Sequence, residues 1–196
     1  MIDRFGAYAD EAAFYSPAIL ENEELAQYLI DNGFFTAPAS ANHHGNYAGG
    51  LFDHSLNVFN RLNTLTKQCG LKWQRQDSPF IVGMFHDLCK IDQYKLVQEP
   101  TRCILDPLGC GDPVDIPGKT HYEYNNDILL TGHGEKSIIL LSKFLTLTDE
   151  EILCIRYHMG AYQTDEWNQF DAAIRKYPNV LYTHMADMLA SKIDEG

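Results

Sequence analysis

The sequence predicts an all-α, mostly helical fold with a small β-hairpin or irregular insertion around residues 92–131, and two observations carry that expectation. Apolar residues recur at helical spacing in segment after segment, and the segments stop at glycine, asparagine-glycine or proline. The spacing lapses between 92 and 131, where prolines and glycines cluster in "EPTRCILDPLGCGDPVDIPGK" and the flanks "YKLV" and "THYEY" alternate like short strands. A chain of 196 residues with 45% hydrophobic and 21% charged content suits one domain over 1–196, with the 92–131 lobe inserted in it and no internal repeat.

Taken in order, "LENEELAQYLID" over 20–31 has helical spacing and stops at Asn32-Gly33. A loop of small residues follows, "FFTAPASANHHGNYAGG". The next helix, "LFDHSLNVFNRLNTLTKQCG", places Leu51, Val58, Leu62 and Leu65 on one stripe, includes His54 on it, and closes at Gly70. "SPFIVGMFHDL" is a third helix, with Ser78 as N-cap and Pro79 at its first position. Beyond the insertion come "GEKSIILLSKFL" and "TDEEILCIRYHMG", the latter with Thr148 and Glu151 at capping-box spacing and Gly160 as terminator. Last are "TDEWNQFDAAIRKY", with Trp167, Phe170, Ile174 and Tyr177 on one side, and "PNVLYTHMADMLASKI" after Pro178.

Fifteen Lys and Arg against 27 Asp and Glu give a formal charge of −12, which disfavours a long nucleic-acid partner and leaves a small charged ligand held by metal unopposed. "MIDRFGAYADEAAFYS" lacks the basic-then-apolar order of a secretory signal, and no apolar run is long enough for a membrane span. Five cysteines without a CxxC spacing suit reduced thiols in a cytoplasmic protein; Cys103 and Cys110 are a weak zinc pair.

A lone histidine on an apolar face is ordinarily a satisfied core residue, and His54 alone would be read so. It has company. His86 and Asp87 end the third helix, His133 stands between glycines at a helix start, His158 ends another helix and Asp187 lies within the last. A helical core can gather such residues, and imidazole with carboxylate binds divalent ions such as Mn, Fe, Zn, Mg, Ni or Co.

The ordered set His54, His86-Asp87 and Asp187 resembles the signature of the HD superfamily of metal-dependent phosphohydrolases. "NHHGNYAGGLFDHSLNV" is similar to the opening found in HD-type exoribonucleases, and "HDLCKI" resembles the family's HD-hydrophobic-Gly-Lys segment with Cys89 in the glycine's place. His133 in "TGHGEKS" and His158 in "RYHMGAY" fall where two-metal branches carry further histidines, although several relatives have a His-His pair at the latter. The resemblance spans roughly residues 42–191. It implies a helical fold around one or two divalent ions, the first held by His54, His86, Asp87 and Asp187 and the second by His133 and His158, with Asp87 bridging. It further implies hydrolysis of a phosphoester or phosphoanhydride by a metal-activated hydroxide.

Around these ligands, Lys90 follows Asp87 by three residues and is a candidate phosphate-binding and catalytic group, against the alternative of a solvated helix-end lysine. His44 is a candidate substrate contact and His43 its exposed neighbour. Glu135 is a candidate general acid or orienter of His133, equally explained as a first-turn acid. His184, one turn before Asp187, is a candidate outer support of the ligands. His121 reads as a surface strand residue, and Tyr47, Tyr122 and Tyr124 as possible base-stacking groups. The leading expectation is a phosphohydrolase acting on a nucleotide or other small phosphorylated molecule. The alternatives are an HD-type 3′–5′ exonuclease, which needs a basic groove from Lys72, Arg75, Arg61 and Lys67, a non-catalytic nucleotide-binding module, and a di-iron oxygenase.

Overall fold

The computed structural model of the chain describes residues 3–104, 114–161 and 166–195. It opens on helix α1, Arg4–Tyr15, where the Asp3 side chain accepts from the Gly6 N–H. This helix was not expected from the sequence, although Tyr8, Ala12 and Tyr15 fall on one helical face and the first two are buried. The helix expected over 20–31 is broken. Pro17 opens α2, Pro17–Leu20, and Asn22 caps a separate α3, Glu23–Asp31, by accepting from the Leu25 N–H at 2.9 Å.

Two helices form the frame of the site. Helix α4 spans Gly50–Cys69, between Gly49 and Gly70, both left-handed, and α5 spans Ser78–Phe85. They run antiparallel, because His54 meets His86 at one end while Thr66 and Pro79 share a cleft at the other. Gly83 is the contact point: a Cβ there would stand 2.5 Å from the Phe59 Cα, so only glycine lets the backbones approach this closely. Around it Phe34, Phe52, Phe59, Phe80 and Phe85 are buried and packed mainly edge to face. Each such ring contributes about 1.5–3 kcal/mol of burial.

After α5 the chain tightens into a 3-10 turn, Leu88–Ile91, and enters the insertion. Strand β1, Tyr94–Gln98, pairs antiparallel with β4, Thr120–Tyr124, and β2, Arg102–Ile104, with β3, Val114–Ile116. One register runs through both pairs, Gln98 facing Thr120 and Arg102 facing Ile116, so the four strands are one two-stranded ribbon. Pro100 and Pro117 sit in its gap, where missing N–H donors interrupt the ladder. Cys110, and with it the Cys103–Cys110 pair, lies outside the described residues.

Helix α6, Gly134–Leu141, ends sooner than the expected 134–145. Helix α7, Asp149–Arg156, carries the complete Thr148–Glu151 capping box. Helix α8, Trp167–Lys176, buries Phe170 and Ala173, whereas Trp167, expected on the inward side, is 57% exposed. Helix α9, Asn179–Leu189, packs on α4 and α7 and runs into a π-turn, Ala190–Asp194. Among the described residues no helix is long and apolar enough to cross a membrane.

Candidate metal centre

Five elements deliver their polar residues to one point. His54 occupies the inward stripe of α4. Helix α5 stops at Phe85, and the turn at Asp87 lets two successive side chains, His86 and Asp87, face the same side. Gly134 brings His133 to His158, because α6 packs so closely on α7 that a Cβ at 134 would lie 2.6 Å from the Arg156 Cα. Asp187 comes from α9. His54, His86, Asp87, His158 and Asp187 are all buried, and the His133 side chain alone is 29% exposed.

Asp87 is the hub. Its Oδ2 lies 3.6 Å from His54 Nε2 and 3.5 Å from His86 Nε2, and its Oδ1 lies 2.8 Å from His133 Nε2 and 3.3 Å from His158 Nε2. Asp187 Oδ1 stands 3.2 Å from His54 Nε2. Four imidazoles therefore turn the same ring nitrogen toward one carboxylate.

The other nitrogen of each ring is engaged outward. His86 Nδ1 donates to the Gly83 carbonyl at 2.9 Å and His158 Nδ1 to the Ile155 carbonyl at 2.7 Å. A carbonyl can only accept, so both Nδ1 atoms carry protons, and a ring so held is set to present Nε2 to a cation at the centre. His54 Nδ1 lies 3.2 and 3.3 Å from the two Glu195 oxygens, and Asn57 donates to the same carboxylate at 2.8 Å. His133 Nδ1 has the weakest partner, the Cys89 sulfur at 3.5 Å.

The result on the Oδ1 side is a conflict that a cation resolves. Asp87 Oδ1, His133 Nε2 and His158 Nε2 are buried, and although Oδ1 lies 2.8 and 3.3 Å from the two nitrogens, none of the three makes a well-directed hydrogen bond. Orphaned buried polar atoms cost about 1–3 kcal/mol each, and a bound cation would satisfy all three. The donors are imidazole nitrogen and carboxylate oxygen, so they fit a divalent ion of the Mn, Fe, Co, Ni or Zn type. His54, His86 and Asp87 form one group that could hold a metal, and Asp87, Cys89 and His133 another.

Burial opposes charge at Asp87, but Lys90, His86 and His133 outweigh it and hold the carboxyl well below the usual carboxylate range. Burial likewise disfavours a charged His54, but hydrogen bonds to Asp187 and Glu195 prevail and push it up to about 9. Without metal, His54 is thus an imidazolium between two carboxylates. At His86 burial outweighs the pull of the Asp87 carboxylate and lowers the pKa.

The remaining expected residues fall as follows. Lys90 is buried, not solvated, with Nζ 2.6 Å from Asp87 Oδ2. His44 is half-buried with its ring 4.9 Å from that of His54; it lines a cleft of about 530 Å³ with Tyr47, Lys192 and Glu195, and His43 is exposed at its rim. Glu135 pairs with Arg156 and makes no contact with His133; both line a cleft of about 370 Å³ that opens at His133. His184 Nδ1 donates to the His158 carbonyl at 2.7 Å, tying α9 to the turn that carries a ligand. His121 is on the surface of β4, beside Glu123.

The basic cluster does not flank this centre. Arg61 pairs with Asp194 and Arg75 with Glu151, Lys67 stands in the last turn of α4 and Lys72 just beyond it. Thirteen residues separate His54 from Lys67, a span of roughly 20 Å along the helix axis. Glu195 was not expected from the sequence, because it sits beside Asp194 in "SKIDEG" with no periodicity to single it out. Nor was Cys89 expected as a partner of His133; the substitution in "HDLCKI" was visible, but its contact depends on α6. Compared with protein-family models, with curated proteins and with solved structures, the chain matches none of them.

Proposed function

We propose that this protein is a metal-dependent phosphohydrolase of the HD type, acting on a nucleotide or another small phosphorylated molecule. The observation that carries the proposal is the convergence of four Nε2 atoms on one buried carboxylate, with the Nδ1 atoms of His86 and His158 held by main-chain carbonyls. The order His54, His86-Asp87, His133, His158, Asp187, which resembles the HD pattern, supports it independently.

A divalent ion in such a site supplies Lewis acidity toward phosphate oxygens and lowers the pKa of water to near neutrality. The protein does the rest. His54, His86, Asp87 and Asp187 would hold one ion, and His133 and His158, which face the other oxygen of Asp87, would hold a second. Glu195 keeps the Nδ1 proton on His54, so that the ring meets the metal through Nε2. Lys90 keeps Asp87 ionised despite burial. Substrate enters beside His133, the exposed ligand, where Arg156 offers a guanidinium for a second anionic group and Glu135 holds that guanidinium in place.

A small substrate fits better than a polymer, since the net charge is −12 and the lysines expected to line a nucleic-acid groove lie at the opposite end of α4. The deciding experiment is metal analysis of protein purified without chelator, then turnover of nucleoside mono-, di- and triphosphates, cyclic nucleotides and short RNA with manganese or magnesium. Phosphate release from a nucleotide, lost in Asp87→Ala, is the expected result. Turnover of RNA alone would favour an exonuclease, oxygen consumption with bound iron an oxygenase, and tight nucleotide binding without turnover a regulatory module. Full metal content and activity in Asp87→Ala would overturn the site.

A further inference from the structure

At the end of the bundle opposite the metal centre, the C-terminal turn of α4 and the start of α5 enclose a cleft of about 460 Å³. Phe14 and Tyr15 of α1 form one side, Trp73 another, and Lys67, Lys72 and Arg75 share the lining. We propose that this cleft is a second ligand site, for a nucleoside phosphate, whose base lies against the aromatic walls while its phosphate meets the lysines.

Three features set it apart from an ordinary patch of surface. Its walls are fixed before any ligand arrives. Trp73 Nε1 donates to Thr66 Oγ1 at 3.1 Å, Tyr15 Oη accepts from Asn63 at 2.9 Å, and Arg75 is held in a two-pronged pair by the buried Glu151 at 3.1 and 2.7 Å. Preorganised groups lose less entropy on binding.

Its charge runs against that of the molecule. In a chain of 15 cations and 27 acids, three cations from one nine-residue stretch line a single cleft. Glu151 engages Arg75, whereas neither Lys67 nor Lys72 makes an ion pair with any described residue, and Lys67 Nζ is carried over the Tyr15 ring at 6.0 Å from its centroid. Two ammonium groups without counter-charge beside aromatic faces match an aromatic anion, and they repel the cations that an acidic surface otherwise attracts.

The cleft also leaves apolar surface uncovered. Phe14 is 79% exposed, its ring 4.7 Å from that of Tyr15 at 72°, which presents a broad aromatic wall to solvent. A base stacked on such a wall gains contact area with little dependence on its identity, while the phosphate supplies the charge match. The volume falls within the range of about 300–1,000 Å³ for small-ligand pockets.

The test uses Trp73 as its own reporter. The chain has two tryptophans, so Trp167→Phe leaves Trp73 as the sole emitter. ADP and GDP are titrated into the full-length Trp167→Phe protein, with adenosine and inorganic phosphate as separate arms. The expected result is saturable quenching by both diphosphates, weaker by about tenfold or more in Lys67→Glu/Lys72→Glu and unchanged in Asp87→Asn/Lys90→Met, which disables the metal centre without leaving a buried ammonium unpaired. The site is overturned if quenching is absent, if the lysine variant binds as well as the parent, if the folded Asp87→Asn/Lys90→Met variant has lost it, or if inorganic phosphate or adenosine alone binds as tightly as the nucleotide. Binding of oligonucleotides but not mononucleotides overturns the assignment to a nucleoside phosphate. None of these outcomes depends on the metal centre turning over a substrate, so either proposal can fail without the other.

Discussion

Metal loading and its dependence on Asp87 can be worked through from the geometry. In the metal-free protein the Asp87 carboxylate is paired with Lys90, and both are buried. An ion present at about a hundredfold excess over its dissociation constant adds about 2.7 kcal/mol of stability, because it binds the folded site and not the unfolded chain. For a chain of this size that raises the melting temperature by roughly 5–10 °C. Asp87→Asn should abolish the rise, since it removes the one carboxylate shared by every imidazole. It should also lower the metal-free baseline, because the Lys90 ammonium is then buried without its partner, at a cost of about 3–5 kcal/mol. The double variant Asp87→Asn/Lys90→Met separates the two effects: it should recover much of the baseline and still show no response to metal. Differential scanning calorimetry of the three proteins with chelator, Mn, Fe, Co, Ni, Zn and Mg is the assay. If no ion shifts the wild type, or if Asp87→Asn keeps the shift, the hub role of Asp87 is wrong.

Further predictions test its surroundings. Glu195→Gln should weaken metal affinity by about 10- to 100-fold in competition titrations with a chromogenic chelator, because the amide can no longer hold the His54 Nδ1 proton as a carboxylate does. Cys89→Ala should loosen His133 alone, so only the weaker phase of a two-phase titration moves; an equal change in both phases would contradict this. His54, raised to about 9 in the folded metal-free protein from an ordinary 6.5, contributes stability that is fully present below about pH 6.5 and is lost as pH rises through about 9. The loss amounts to roughly 3 kcal/mol. Melting of the chelated protein from pH 6 to 10 should show that decline, and Glu195→Gln should flatten it. Gly83→Ala should destabilise by more than about 1–3 kcal/mol in urea unfolding, since its methyl meets the backbone of Phe59 and no side chain can yield.

How much of this was legible depended on whether a signal was periodic or tertiary. The stripe of Leu51, Val58 and Leu62 and the capping box at Thr148 were readable because local spacing alone determines them, and all three apolar residues are buried. The break at Asn22 was hidden because the apolar pattern continues across it, and only the cap hydrogen bond reveals a new start. Trp167 fits the stripe of α8 in sequence, yet that helix meets the core through Phe170 and Ala173 and leaves its first turn outside. At the centre, residue type and order pointed to His54, His86, Asp87, His133, His158 and Asp187, which the fold does gather. The neighbours that fix their protons are main-chain carbonyls of Gly83 and Ile155, one sulfur and one distant carboxylate, and no linear pattern marks those. Lys90 was placed near the rim by its three-residue offset, but its burial follows from the 3-10 turn, which draws it back onto Asp87.

The contact between His54 and Glu195 links positions 141 residues apart. A nascent chain can form α4 and α5, and even approximate His54, His86 and Asp87, long before the carboxylate that sets the tautomer of His54 has been synthesised. The centre in its final form therefore waits for the π-turn to dock against α4. If an ion occupies the centre, its retention would report that the last described turn has found its place against α4.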